Sequence, residues 1–435
     1  MKGTNLSCFQ KQRVVIAPFN DLAIELRKAL PEYINFIGFF DSKKTDGCIL
    51  SQECIDSDTV IIVCSPNYWQ EIAQKFPINS VFIYNRQGFE LILYDDYLQL
   101  ISTEKTFDVL LLPYNKSNII DLNLLSKELL SLGLTSALID VNSDFDNNIR
   151  EGFASIHEQN IIHRDCLPFI KSKVLVASND WDPGFGREYI SNQKDNGVKT
   201  IGIVDGIEDF QDSDYNYERR AYHTTEYVLL MGRDDQSHFK NKIDKTCIIG
   251  LPKMWDLYNE KRALPKKPKV MINVNFTYGF FEDIRKQWVE AVISVCEDLS
   301  LPFVISQHHA DKGEFPLEML SPNCVYETIE ECSVVISRFS TVILEALAMG
   351  RYVIYFNPHG ETVDLYKYPK GAYEIATCQK SLTLALNKSL AKARNEQAVN
   401  VFLDRKCNVL SDIQPSKKAA QFINNIILEM GEIFE

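Results

Sequence analysis

Short runs of Val, Ile and Leu alternate with amphipathic stretches along most of the chain. RVVIAPF (13–19) precedes the helical pattern DLAIELRKAL (21–30), TVIIVCS (59–65) precedes NYWQEIAQKF (67–76), and SVFIYN (80–85) follows. FDVLLLPY (107–114), the helical LNLLSKELLSLGL (122–134) and SALIDV (136–141) repeat the rhythm. KVLVAS (173–178), KTIGIVDG (199–206), YVLLMG (227–232) and KTCIIGLP (245–252) continue it. Near-continuous apolar runs of this length predict strands covered on both faces, as in parallel sheets with helices above and below. Strand–helix alternation on this scale predicts α/β, doubly wound domains.

The rhythm breaks at NEKRALPKKP (259–268), which is charged, holds two prolines and lacks apolar periodicity. It reads as an interdomain linker. A second series follows: KVMINVNF (269–276), the helix EDIRKQWVEAVISVCEDL (282–299), PFVISQHH (302–309), CSVVISRF (332–339), the helix STVILEALAMG (340–350) and RYVIYFN (351–357). LTLALNKSLAKARN (382–395) and KKAAQFINNIILEMGEIF (417–434) read as further helices. The expected organisation is an N-terminal α/β elaboration over 1–104, a Rossmann-like domain over 105–258, the linker, and a second Rossmann-like domain over 269–435. Ligands of such sheets bind outside the carboxyl ends of the strands, so residues at strand-to-loop transitions carry the most functional weight.

A length of 435 residues suits two or three domains, and 45% hydrophobic with 24% charged residues is the profile of a globular chain. The formal charge of −13 excludes a protein that coats DNA or RNA, but leaves room for a local pocket holding one nucleotide. The 11 cysteines form no C-x-x-C pair and sit mostly in apolar segments, which reads as buried free thiols. The opening MKGTNLSCFQKQR lacks an apolar signal core, and no apolar run approaches the ~20 residues that span a bilayer. A reduced cytoplasm is the expected compartment.

The segment richest in chemistry is CSVVISRFSTVILEALAMGRYVIYFN. A buried strand ends at Ser337, and Arg338-Phe339 turns into Ser340-Thr341 at the start of a helix. Ser340 or Thr341 can cap that helix, whose free N–H groups would form an anion site. Glu345 lies one turn on, where a carboxylate can accept ribose hydroxyls. Arg338 can pair with a phosphate or a sugar carboxylate, or form a rim salt bridge. An ordinary capped crossover helix is the competing reading. Asn275, in NVNFTYG (273–279), follows the first strand of the second series and can contact a ligand across the cleft.

This strand, S-x-x-S-T, E-A-L-A-M-G helix and following strand resemble the nucleotide-binding segment of GT-B glycosyltransferases. The closer resemblance is to the capsule and teichoic-acid branch: CDP-glycerol glycerophosphotransferases, polysialyltransferases and transferases of Kdo, a deoxy-octulosonic acid. KTIGIVDG sits where many of those enzymes end a strand in Gln-His-Gly; this chain has Val204-Asp205-Gly206. CIIGLP (247–252) resembles their Gly-x-Pro before the linker, and His309 sits at the position of a family His that precedes Pro, here replaced by Ala310. The similarity spans about residues 170–360 and rests on order and spacing.

The departure at Asp205 resembles the retaining β-Kdo transferases that use CMP-Kdo. An Asp there can attack an anomeric carbon and retain configuration through two inversions. A solvated acidic loop around an Asp-Gly turn is the alternative. His238, in DDQSHF, is the candidate acid/base or sugar contact, or else a surface histidine. Of His308 and His309, only one can face the cleft. Asn179 and Asp182, in SNDWDPGFGREYI (178–190), are placed near the acceptor.

Asp180-Trp181-Asp182 also spells the D-x-D of metal-dependent transferases of another fold, but Asp56-Ser57-Asp58 and Asp212-Ser213-Asp214 match as well, as an acidic chain allows by chance. A CMP-sugar leaves with one phosphate, which a helix N-terminus with His or Arg can neutralise, so no metal and no cofactor is expected. No G-x-S-x-G elbow, Walker loop or G-x-G-x-x-G is present. The expected activity is metal-independent, retaining transfer of Kdo from CMP-Kdo to a surface-polysaccharide or lipopolysaccharide precursor. The implied partners are a nucleotide-sugar donor and a glycan or glycolipid acceptor that brings the protein to the inner membrane face. The alternatives are a CDP-alditol phosphotransferase, a sialyltransferase, or a non-catalytic sugar-nucleotide-binding partner.

Overall fold

The computed structural model of the chain describes residues 9–432 apart from 10, 45–48, 66–67, 78–79, 86–89, 141–151, 154–155, 157–160, 183, 205–220, 261, 278–280, 362–365 and 367. Two compact units form: Met1–Asn123 with Thr135–Lys173, and Leu124–Leu134 with Val174–Glu435.

The first unit opens with a six-stranded sheet built from β1 (Val14–Ala17), β2 (Phe36–Phe40), β3 (Ile49–Leu50), β4 (Val60–Val63), β5 (Val81–Asn85) and β6 (Glu90–Leu93). Its order is β3-β2-β1-β4-β5-β6, parallel except for the last pair. Every residue of β1 and β4 is buried, as the predicted two-sided cover requires. Helix α1 (Asp21–Ala29) begins where Asn20 accepts from the Ala23 amide at 2.8 Å and buries Leu22, Ala23 and Leu26. At the carboxyl ends of β1 and β4 Asn20 also donates to the Cys64 carbonyl at 3.0 Å, tying the two strand ends together. The residues expected as an N-terminal elaboration thus make a sheet of their own. Three more parallel strands of this unit are β7 (Lys105–Leu112), β8 (Ser136–Asp140) and β9 (Ile161–His163).

In the second unit β10 (Ile170–Ala177, entering from the first), β11 (Lys199–Ile203), β12 (Tyr227–Leu230) and β13 (Thr246–Ile248) pair in parallel. A five-stranded parallel sheet follows, made of β14 (Val270–Val274), β15 (Phe303–Gln307), β16 (Val334–Ser337), β17 (Tyr352–Phe356) and β18 (Glu374–Ala376). Its order, β15-β14-β16-β17-β18, reverses between β14 and β16. That reversal is the topological switch point where open α/β sheets bind ligands.

The helix Arg285–Asp298 packs Trp288, Val289, Val292, Val295 and Cys296 onto this sheet, and the Trp288 indole donates to the Phe356 carbonyl at 2.9 Å. Each large apolar side chain so buried contributes roughly 1.5–3 kcal/mol. A second cluster joins Tyr222, Leu230 and Met254 to Val335, Leu344 and Phe402 in one continuous core. The chain's last helices lean on the β12–β13 side of that core. Any Cβ at Gly232 would overlap the carbonyls of Arg405 and Lys406, and the Trp255 indole donates to the Ser411 carbonyl at 3.1 Å. Helix Glu396–Cys407, part of this contact, lies outside the helices that periodicity picked out. Within 259–268, the Ala263 carbonyl accepts from the fully buried Arg351 at 2.8 Å and Arg262 pairs with Glu330 at 2.9 Å.

Candidate functional site

Most of the described candidates lie just beyond strand ends, while Glu345 sits inside a helix. Asn273, the penultimate residue of β14, and Ser337, the last of β16, are register partners. Asn273 donates to the Ser337 hydroxyl at 2.9 Å, and that hydroxyl donates to the Arg338 carbonyl at 2.7 Å. Beyond them the loops stitch to each other: Arg338 Nη1 donates to the Asn275 carbonyl at 3.3 Å, while Asn275 Nδ2 donates to the Phe339 carbonyl. Asn275 and Arg338, chosen separately in the sequence, therefore meet. The Oδ1 of Asn275 is buried and has no hydrogen-bond partner among the described residues. A buried acceptor left unpaired costs roughly 1–3 kcal/mol.

Arg338 is not a rim residue. It is 5% exposed, lies between the rings of Phe276 (4.9 Å) and Phe281 (5.2 Å), and sends Nε and Nη2 to Glu361 Oε2 at 3.0 and 2.7 Å. The other Glu361 oxygen accepts from the Phe339 amide and the Tyr355 hydroxyl, both at 2.9 Å, and His359 Nε2 lies 3.1 Å from Oε2. Burial opposes ionisation of Glu361, but the His359 contact, the Arg338 charge and the Phe339 amide outweigh it, holding the carboxyl down at about 2. Asn357 clamps the loop by accepting from the Glu361 amide (2.8 Å) and donating to its carbonyl (2.7 Å). Glu361 and His359 were missed in the sequence. The readable signal was Asn357-Pro358-His359-Gly360-Glu361, a turn-rich run directly after a strand.

The loop after β15 contributes a second carboxylate. Asp311 accepts from the Phe276 amide at 2.7 Å and the Gly313 amide at 2.8 Å, and pairs with Arg285 at 3.0 Å. His308 is tucked in: its Nδ1 accepts from the Ala310 amide at 3.2 Å, and burial, then the charge of His309, pushes its pKa down. His309 is exposed, with its ring 4.2 Å from that of His308.

At the next loop, the helix spans only Val342–Ala348, shorter than expected. Thr341 is its N-cap residue without a side-chain cap bond, and Ser340 Oγ accepts from the Val342 amide at 3.3 Å. The Ile343 and Leu344 amides bond back to the Ser340 and Thr341 carbonyls at 3.2 and 2.9 Å. The first-turn amides expected to be free are thus engaged, because the helix opens with tight i→i+3 turns. The amides of Ser340 and Thr341 themselves make no hydrogen bond among the described residues.

Glu345 departs further from expectation. It is 3% exposed, and its Oε1 takes the Lys253 ammonium at 2.6 Å and the Tyr326 hydroxyl at 3.3 Å. Its place on the inward face of a short helix, opposite Pro252–Asn259, buries the carboxylate rather than presenting it.

On the β10 side, Asn179 accepts from the amides of Trp181 (3.1 Å) and Asp182 (3.0 Å) and donates to Asp182 Oδ2 at 3.2 Å. Asp180, the first acid of the D-x-D, is fully buried and accepts from the amides of Tyr222 (2.6 Å), Thr224 and Thr225 (2.9 Å each). Its carboxylate holds a backbone loop whose carbonyls at Tyr222 and Thr225 accept from Lys242 at 2.7 and 2.9 Å. His238 ends the turn Asp234–His238 after β12 and is half-buried. That turn is fixed by Asp235, which accepts from the Gly232 amide at 3.0 Å, and by Asp234, which pairs with Arg405 and Lys406 at 2.8 and 2.7 Å. Asp205 and the acids of GIEDFQDSDYN lie outside the described residues. No group of three or more His, Cys, Asp or Glu among the described residues is placed to hold a metal ion, and no described helix is long and apolar enough to cross a membrane.

No family model and no curated protein matches the chain. Solved structures do. The UDP-GlcNAc 2-epimerase of Methanocaldococcus jannaschii, in complex with UDP-GlcNAc and UDP, superposes with a TM-score of 0.52 at 12% identity, over 74% of this chain and 100% of that one. The wall teichoic acid polymerase TagF, as its H548A variant, gives 0.48 at 15% identity over 75% and 90%. The UDP-GlcNAc 2-epimerase of Neisseria meningitidis bound to UDP-GlcNAc gives 0.48 at 10% over 74% and 100%. At such identities the likeness is one of fold. The chain has the mixed α/β architecture of two Rossmann-like domains, the GT-B fold, preceded by an additional N-terminal sheet.

Proposed function

We propose that the chain is a GT-B glycosyltransferase that binds a nucleotide-activated sugar at the β14/β16 switch point and transfers the sugar to a surface-polysaccharide or lipopolysaccharide precursor. The observation that carries this reading is the buried Oδ1 of Asn275 at that switch point, which is unpaired among the described residues. The unbonded amides of Ser340 and Thr341 stand on the adjoining loop and the exposed His309 follows the neighbouring strand. Together they offer donors for one phosphate and an acceptor for a base or sugar hydroxyl. Arg338 and Glu361 neutralise each other, so they serve as positioning residues that fix these loops.

In its fuller form the donor is CMP-Kdo and the reaction retains configuration. The Asp205 carboxylate attacks the anomeric carbon, the bond to the phosphate oxygen breaks, and CMP departs. An acceptor hydroxyl then displaces Asp205, giving its proton to a base for which His238 is the candidate. The support for Asp205 is its position two residues beyond β11, whose end is held by the Val204 amide on the Leu229 carbonyl at 2.9 Å. Asn179 and Asp182 would face the acceptor, and a lipid-linked acceptor would bring the enzyme to the inner membrane face.

Intact-mass analysis after exposure to CMP-Kdo, with CDP-glycerol and CMP-sialic acid in parallel, tests the reading. A Kdo adduct lost in Asp205→Ala is expected. Release of nucleotide from none of the donors would favour a binding protein, and turnover unchanged in Asp205→Ala would remove the nucleophile.

A further inference from the structure

A groove of about 620 Å³ lies between the helix Arg285–Asp298 and the loops that follow β17 and β18. Its walls include Gln287, Ala291, Ser294, Phe356, His359 and Cys378. The volume is within the roughly 300–1,000 Å³ of small-molecule sites. It shares His359 with the site above and is otherwise separate from the residues proposed to hold the donor.

Two observations single out this groove. Cys378 is exposed at the N-cap of the 13-residue helix Gln379–Ala391, and its Sγ lies 3.4 Å from the Ser381 hydroxyl. Those Ser381 contacts, side chain first and then backbone, draw the thiol pKa below its ordinary value. Independently, the His359 side chain on the groove wall is only 9% exposed, and its buried Nδ1 has no hydrogen-bond partner among the described residues. An exposed thiol and the largely buried His359 side chain thus line one cavity.

Cys54 is also exposed, with its Sγ 3.3 Å from the Ser51 hydroxyl, but it is not part of the groove. Burial pushes Cys296 and Cys332 up to about 12, and raises Cys247 and Cys407 as well. Cys324 is exposed and caps a helix too, but that helix has seven residues and the thiol is not part of the groove.

We propose that Cys378 is a modification site for low-molecular-weight disulfides, and that the body of the adduct, a thiol bearing amide or carboxylate groups, lodges in the groove against His359. The Cys378 thiolate attacks one sulfur of the incoming disulfide and that S–S bond breaks. A mixed disulfide forms, and the other half leaves as a thiolate that takes up a proton. One disulfide is consumed and one is made.

The test uses the full chain, oxidised glutathione and iodoacetamide, with peptide mass mapping of each cysteine over time. Cys324 serves as the internal reference. Glutathionylation is expected about tenfold faster at Cys378 than at Cys324. The Cys378:Cys324 ratio should also be larger for glutathione disulfide than for iodoacetamide, which is too small to need the groove. Ala291→Trp, which fills the groove, should bring the two ratios together. Equal glutathionylation of the two cysteines, equal ratios for the two reagents in the unmodified chain, or a preference that survives Ala291→Trp would each overturn the proposal.

Discussion

Replacing Glu361 by Gln removes the charge around which three strand-end loops are organised. The wild-type carboxylate is held at about 2 against an ordinary 4.5, which at 1.36 kcal/mol per unit corresponds to about 3 kcal/mol of folded-state stabilisation. The variant also leaves the buried Arg338 guanidinium without its counter-charge, a loss of the same order, roughly 3–5 kcal/mol where such pairs are broken. The two figures describe one interaction and are not added. The sign is set by the depressed pKa: the contribution is complete above the unfolded-state value and fades as pH falls through the folded-state value. The gap between wild type and Glu361→Gln is therefore expected to be full at pH 6 and to lose about 2 kcal/mol by pH 3. Urea-dependent hydrogen exchange of the peptides covering β16 and β17 reports this unit without interference from the first. A gap below about 1 kcal/mol, or one unchanged between pH 6 and pH 3, would refute the reasoning.

Further predictions concern the buried charges around the site. Asp180→Ala should lower stability by roughly 2–4 kcal/mol and deprotect the Tyr222, Thr224 and Thr225 amides in hydrogen exchange, because these three N–H groups lose their acceptor. A metal-ligand role would instead cost activity without that deprotection. Lys253→Met should destabilise by roughly 2 kcal/mol by stranding Glu345, and the double variant with Glu345→Gln should recover part of the loss in thermal unfolding. Asp235 is pushed up to about 7, chiefly by burial. A raised carboxyl pKa penalises the fold once the group ionises, so Asp235→Asn should gain on wild type by about 3 kcal/mol between pH 5 and pH 8, measured by urea titration at each pH.

The strand–helix rhythm was legible because every residue of β1, β4, β14 and β16 is buried, and full cover leaves an unbroken apolar run. Helix Glu396–Cys407 was harder to see. It buries Val399, Phe402, Leu403 and Cys407 beneath an exposed Val401, within a sequence of mixed polarity. At the site, the local sequence located the turn after β16 but not the partners of its charges. Arg338 reads as an available cation until the fold brings Glu361 to it from 23 residues away, and Glu345 reads as an available anion until Lys253 reaches it from another helix. Availability is a tertiary property, since a charge becomes committed only when packing decides what lies opposite it. The D-x-D shows the same thing, with Asp180 spent on backbone amides brought together by a loop some forty residues on.

On the proposed function, the β14/β16 switch point holds the nucleotide of an activated sugar. Calorimetric titration of the full chain with CMP, and with CDP and UDP alongside, tests it most directly. Saturable binding of CMP at one site is expected, weakened about tenfold or more by Asn275→Ala, the cost of one lost hydrogen bond in a buried setting. No binding of any of the three nucleotides at millimolar concentration, or CMP binding indifferent to Asn275→Ala, would contradict it.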